Sequence, residues 1–170
     1  MTSNSSRHDS GVDIERVRAN LTGMYVAIAG IVIFNIAVFM DWATNEGDDA
    51  GFSGYESDSL IPFMAYLGIG FAVALLYASK RAYRNQHRGL SLASMAVGLA
   101  VFLQALAWGF DIPGAAERQS ELNADLGTWV GVLGGALWAI GSGLLAKEPE
   151  GDPEHDRVHN NKNTDAGRGR

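Results

Sequence analysis

The residues with the clearest claim to chemistry fall in two places. One is an acidic stretch, in which Asp41, Glu46, Asp48, Asp49, Glu56 and Asp58 crowd between glycines. Carboxylate oxygens on a loop are the ligand set of calcium, and the EF-hand arranges them at set positions around an invariant glycine. Aligning Gly47, Gly51 or Gly54 with that glycine leaves oxygen ligands missing each time, so an EF-hand is excluded. The stretch reads first as a solvated acidic surface of the kind halophilic proteins commonly carry. Asp48, Asp49, Glu56 and Asp58 are the first candidates for loose divalent-cation binding. The other place is the pair Asn35 and Gln104, the strongest polar side chains within long uncharged runs.

Other chemistries lack their parts. Gly141-Ser142-Gly143 offers a hydroxyl with no base at comparable depth, so Ser–His catalysis is not expected. The four histidines, His8, His87, His155 and His159, all lie outside the uncharged runs, which removes bis-His haem from them. His155 and His159 would share a helical face, but no third ligand accompanies them. With no cysteine there is no disulfide framework, thiol centre or Cys-type zinc site. Ionisable residues inside a membrane mark proton relays and ion paths, and the uncharged runs contain none. The expectation is a chain without catalytic residues, cofactor, resident metal or nucleic-acid partner.

The elements that position these residues follow from the distribution of charge. The chain has 170 residues, with 13 Lys plus Arg against 19 Asp plus Glu, a net of −6. Residues 19–40, 59–79, 89–110 and 126–146 carry none of these charges. About 20 helical residues at ~1.5 Å each cross a hydrocarbon core of ~30 Å, and all four runs reach that length. A soluble bundle would need a charged stripe on each helix, and none is present. In lipid each segment must satisfy its own backbone, so the runs should be helices. The predicted fold is all-α, a bundle of four transmembrane helices over 19–146. A cytoplasmic segment (1–18) precedes it, and a disordered cytoplasmic tail (147–170) follows.

Twelve of the 13 basic residues fall in the N-terminal segment, the loop around 80–88 and the tail, and one, Arg118, falls in the other loops. Both termini should therefore face the cytoplasm of a cell-membrane protein. Trp42, Trp108 and Trp129 stand near the outward ends of three spans, where indole rings favour the interface. Ser10 and Asp13 have capping-box spacing for a short cytoplasmic helix. Residues 115–125 are good helix formers and predict an outer helical extension running towards the fourth span. Asn20-Leu21-Thr22 matches a glycosylation sequon but would sit at the cytoplasmic membrane edge.

Two patterns predict packing. Gly127, Gly131, Gly135, Ala139 and Gly143 recur every fourth residue, a nearly straight groove that Gly134 and Gly141 widen. Such a groove lets another helix approach closely. The partner is expected first among the protein's own helices, and otherwise in a second copy. Asn35 and Gln104 lie at matching depths, so a hydrogen bond between the first and third spans is expected, with a polar substrate site as the other reading.

Trp42 at the end of span one, the acidic Gly-containing loop 43–58 and the Gly-rich fourth span resemble small four-span membrane proteins of halophilic archaea. Similarly built proteins occur in actinobacteria. The resemblance covers roughly residues 19–146 and implies a topology without catalytic residues. The topology is also similar to that of claudins, whose first outer loop needs two cysteines that this chain lacks. The expected function is a non-enzymatic multi-pass component of the cell envelope. Its partners would be the bilayer and other membrane proteins or itself, and the alternative is a small oligomeric permease or channel.

Overall fold

The computed structural model describes residues 21–47, 50–57, 60–81, 84–112 and 122–147. Among these residues five helices and three short strands follow in the order α1 (Thr22–Ala37), β1 (Asp41–Asn45), β2 (Gly51–Ser53), α2 (Gly54–Ser57), α3 (Leu60–Arg81), α4 (Arg84–Phe110), β3 (Leu122–Ala124) and α5 (Leu126–Ala146). Helices α3, α4 and α5 are long and apolar enough to cross a membrane. The described residues of the last three uncharged runs each lie within a single helix, whose backbone donors and acceptors pair internally. Pro62 sits in the first turn of α3, where a missing N–H leaves no bond unmade.

The four long helices are neighbours in the cyclic order α1, α5, α4, α3, so α1 faces α4 across a diagonal. The closest interfaces are those of α5 with α1 and α4. The core runs along this bundle through Ala27, Ile31, Phe34, Leu75, Val101, Ala105 and Trp138, all buried.

One end of the bundle, the outer end in the topology expected from the charges, departs from an all-α fold. A three-stranded antiparallel sheet, in the order β2-β1-β3, caps the helices. It ties the first outer loop to the second, pairing Ala43 with Ala124 and Thr44 with Asn123. At 122–124 this corrects the helical extension expected over 115–125. Leu122-Asn123-Ala124 is an edge strand, because pairing with β1 satisfies its backbone and overrides modest helix propensity. Residues 113–121 lie outside the described residues, as do the Ser10–Asp13 cap, the 1–18 segment and the 148–170 tail.

The first helix is also shorter than its uncharged run. Helix α1 covers 16 residues, and Phe39 and Met40 then turn through bonds to Ile36 O and Ala37 O before β1 starts at Asp41. The run 19–40 therefore contains a helix and a turn, since the outer cap draws its last residues out of helical geometry.

A bulge in β1 explains where Trp42 goes. The register with β2 steps from Asp41↔Ser53 to Ala43↔Phe52, leaving Trp42 unpaired and re-aimed. Its ring is fully buried, edge-on to Phe34 at 6.2 Å and to Trp108 at 6.0 Å. The indole N–H donates to Ala37 O at 2.7 Å. Trp42 and Trp108 are thus core residues rather than interface anchors. Of the three outward indoles only Trp129 is exposed.

Candidate functional site

The glycine-rich α5 meets its own neighbours along its length. A Cβ placed on Gly135 would lie 2.6 Å from Phe102 N of α4, and one on Gly143 would lie 3.2 Å from Met95 Sδ. Towards the outer end the row meets the cap: a Cβ on Gly131 would lie 2.8 Å from the Trp42 ring, and one on Gly127 2.8 Å from Trp42 Cδ1. Ala139 is the backbone that Gly98 of α4 packs against, where a Cβ would come within 2.7 Å of Ala139 N.

A second row on α5, offset from the first, faces α1. Cβ atoms on Gly134 and Gly141 would lie 2.7 Å from Phe34 N and from Gly23 O respectively. The partner positions on α1 are equally bare: a Cβ on Gly30 would lie 2.6 Å from Gly134 O, and one on Gly23 2.6 Å from Leu145 N. Both interfaces are therefore backbone against backbone. The signal for the second was present as Gly23, Ala27 and Gly30, small residues on one side of α1.

The polar side chains inside the bundle form a different network from the expected one. Asn35 Nδ2 donates to Ile31 O of its own helix at 2.9 Å. Asn35 and Gln104 sit on helices that face each other across the diagonal, so the predicted bond between them is not made. The buried polar contact lies elsewhere. Ser94 Oγ and Ser142 Oγ are 2.9 Å apart, and Trp138 Nε1 donates to Ser94 Oγ at 2.9 Å. Ser94, Ser142 and Trp138 are fully buried. A serine hydroxyl becomes a nucleophile when a base takes its proton, and here the hydrogen-bond partners of the two hydroxyls are each other and, for Ser94, an indole N–H, neither of which is a base. The network gives the buried Trp138 N–H an acceptor and joins α4 to α5. Ser94 lies five residues from the start of the uncharged run 89–110 and Ser142 four from the end of 126–146, so the depth-matching argument applied to Asn35 would have found them.

The outer end carries the second polar cluster. Trp42 O accepts from Asp125 N at 3.0 Å and from Thr128 Oγ1 at 2.8 Å. The Asp125 carboxylate accepts from Leu126 N at 2.6 Å and from Thr44 Oγ1. This one side chain caps α5 and clips β1 to it. Those two donors hold its carboxyl below the usual carboxylate range, the Thr44 hydroxyl contributing most. A lowered folded-state value stabilises at pH above the unfolded value of about 3.9 and is lost as pH falls through the folded one. Acidification through that window should therefore reduce hydrogen-exchange protection at Leu126 and along β1. Asp125→Asn should flatten this dependence, and an unchanged profile in the variant would show that another group controls the cap.

Of the candidate cation ligands, Glu56 is engaged with its own loop, accepting from Ser53 N at 3.0 Å and Ser53 Oγ at 2.9 Å. Both contacts lower its carboxyl below the usual value. Asp48, Asp49 and Asp58 lie outside the described residues. Among the described residues no three His, Cys, Asp or Glu side chains are placed to hold a metal. Glu46 Oε1 accepts from Asn123 Nδ2 at 2.5 Å, linking the two outer loops. No family model matches the chain, and no curated protein or solved structure shows significant similarity to it.

Proposed function

We propose that the chain is a four-span, non-enzymatic protein of the cell membrane, a structural or partner-binding component of the envelope with both termini cytoplasmic. The observation that carries this reading is the use of the bundle's interior. Glycine rows bring backbones together along α5, and the buried hydroxyls of Ser94 and Ser142 are held by each other and by Trp138. These groups are committed to packing rather than presented to a solute.

Helix α1 supports the fourth span. Gly23 packs against Leu145 near the inner end of α5, and Asp41 O lies 2.5 Å from where a Gly127 Cβ would stand at its outer end. The helix and its turn thus follow α5 from end to end and traverse the same thickness. The twelve-to-one distribution of basic residues sets the orientation. A cysteine at exposed Gly47 should react with an impermeant thiol reagent on intact cells, whereas one at Asn85 should not. Labelling at Asn85 alone would invert the topology.

Gentle detergent extraction followed by mass spectrometry of co-purifying proteins tests the function. A stoichiometric partner supports the proposal. Solute flux through liposomes containing the purified chain alone would replace it with a permease or channel.

A further inference from the structure

One corner of the outer cap is apolar. Phe39, Phe52, Tyr55, Leu60, Phe63 and Tyr66 are all exposed there, from 36% at Phe52 to 73% at Phe39. They come from the turn after α1, from β2, from α2 and from the first two turns of α3. Their rings are mutually ordered. Phe39 and Tyr55 stack with centroids 5.1 Å apart, Tyr66 meets Tyr55 edge-on at 6.3 Å, and the two phenol oxygens are 2.6 Å apart. Each hydroxyl has a partner in the other, and the ring surfaces remain uncovered.

The opposite edge of the same sheet is polar. Strand order β2-β1-β3 puts β3 on the far side of β1, where exposed Asn123 and Glu46 bond to each other. The cap is therefore amphipathic across its width. From Tyr66 the apolar surface continues down α3 through exposed Ile69 and Val73 without a polar break.

We infer that the β2–α2 corner of the cap is sunk into the headgroup–acyl boundary of the bilayer, anchored by Phe39, Tyr55 and Tyr66, while the β3 edge stands in water. The inference rests on the membrane-spanning reading above and adds to it, because charge alone places the whole of 41–58 in water. Three observations favour lipid as the occupant. The patch is continuous with the exposed face of an apolar helix long enough to span. Its tyrosines have apolar bodies and polar tips, the composition that settles at membrane interfaces. Tyr66 lies six residues below Leu60, about 9 Å along the helix, within the ~5–10 Å to which amphipathic elements sink. The corner also supplies partners for its own backbone: Ser53 N donates to Glu56, and Asn45 N donates to Ala50 O at 3.1 Å.

The absence of cysteine from the chain makes the test direct. Single cysteines at Phe39, Phe52, Val73 and Asn123 are labelled with a nitroxide in phosphatidylcholine vesicles. Collision with oxygen, which concentrates in lipid, is then compared with collision with a water-soluble nickel chelate. Phe39 and Phe52 should show several-fold less nickel access than Asn123 and should lie shallower than Val73. Nickel access at Phe39 and Phe52 equal to that at Asn123, with Val73 still in lipid, would put the corner in water and overturn this inference alone. Loss of both collisions at the two positions would mean that a second copy covers the corner, which also overturns it. Nickel access at Val73 would overturn the spanning reading itself. Should Phe39→Cys not fold, Phe52→Cys on the strand edge carries the same comparison.

Discussion

Gly141→Ala should destabilise the protein by about 3 kcal/mol, at the upper end of what overpacking costs. On an isolated helix the same change would be favourable by about 1 kcal/mol, because alanine is the better helix former. The sign is therefore diagnostic. The added methyl would sit 2.7 Å from Gly23 O and 2.8 Å from Ala27 Cα, atoms of another helix's backbone that no rotamer change can move. Relief requires α1 and α5 to separate, which forfeits dispersion contacts along both. Gly135→Leu should do the same at the α4 interface, where the obstacle is the Phe102 backbone. Leu133→Ala is the contrast: Leu133 is 54% exposed on the other face of α5 and should change stability by no more than about 0.5 kcal/mol. Reversible unfolding in mixed micelles would measure all three. A Gly141→Ala protein more stable than the parent would show that the helices do not meet there.

Trp138→Ala should cost about 3–5 kcal/mol, the range for removing a fully buried large aromatic. Trp138 is where all four long helices converge. Its backbone N faces Gly30 of α1, its ring lies 3.3 Å from a Gly68 Cβ on α3 and 3.0 Å from a Gly98 Cβ on α4, and Phe71 packs beside it with centroids 6.2 Å apart. Small residues at 30, 68 and 98 make the room that the indole fills. Trp138→Phe keeps most of the ring but removes the donor to Ser94, so about 1–3 kcal/mol is expected. If Trp138→Phe proves as damaging as Trp138→Ala, the hydrogen bond rather than the volume holds the centre. Thermal unfolding of both variants in one detergent separates the two.

The spans were legible because charge exclusion over 21 or 22 positions does not depend on tertiary context, and the structure places helices at 60–81, 84–110 and 126–146 accordingly. The sheet was not legible. Strands of three residues such as Gly51-Phe52-Ser53 and Leu122-Asn123-Ala124 are too short to carry a period, and their pairing partners are set by how the bundle presents its ends. The four-residue period of α5 was readable, but the partner of each glycine was not, since a period gives a face and no neighbour. Gly134 and Gly141 appeared to widen a groove and in fact form a second one. Asn35 shows the opposite limit. Depth matching brought it to Gln104, yet the cyclic order of helices put them on a diagonal, and an amide one turn from Ile31 O needs no distant partner. Trp42 followed the interface preference of indoles in sequence and the bulge of β1 in the fold.

The long reach of α1 also bears on how the molecule is made. Its main partner is the last helix, α5, with α3 and α4 emerging from the ribosome in between. When synthesis has reached Asp125, β3 has been made, but the bare backbone at Gly23, Ala27 and Gly30 still lacks α5. Until α5 is made, the place between α1 and α4 that it occupies stays open. A chain stopped before residue 126 would thus carry all three strands of the cap but leave the glycine faces of α1 and the α4 face at Gly98 without the helix they pack against.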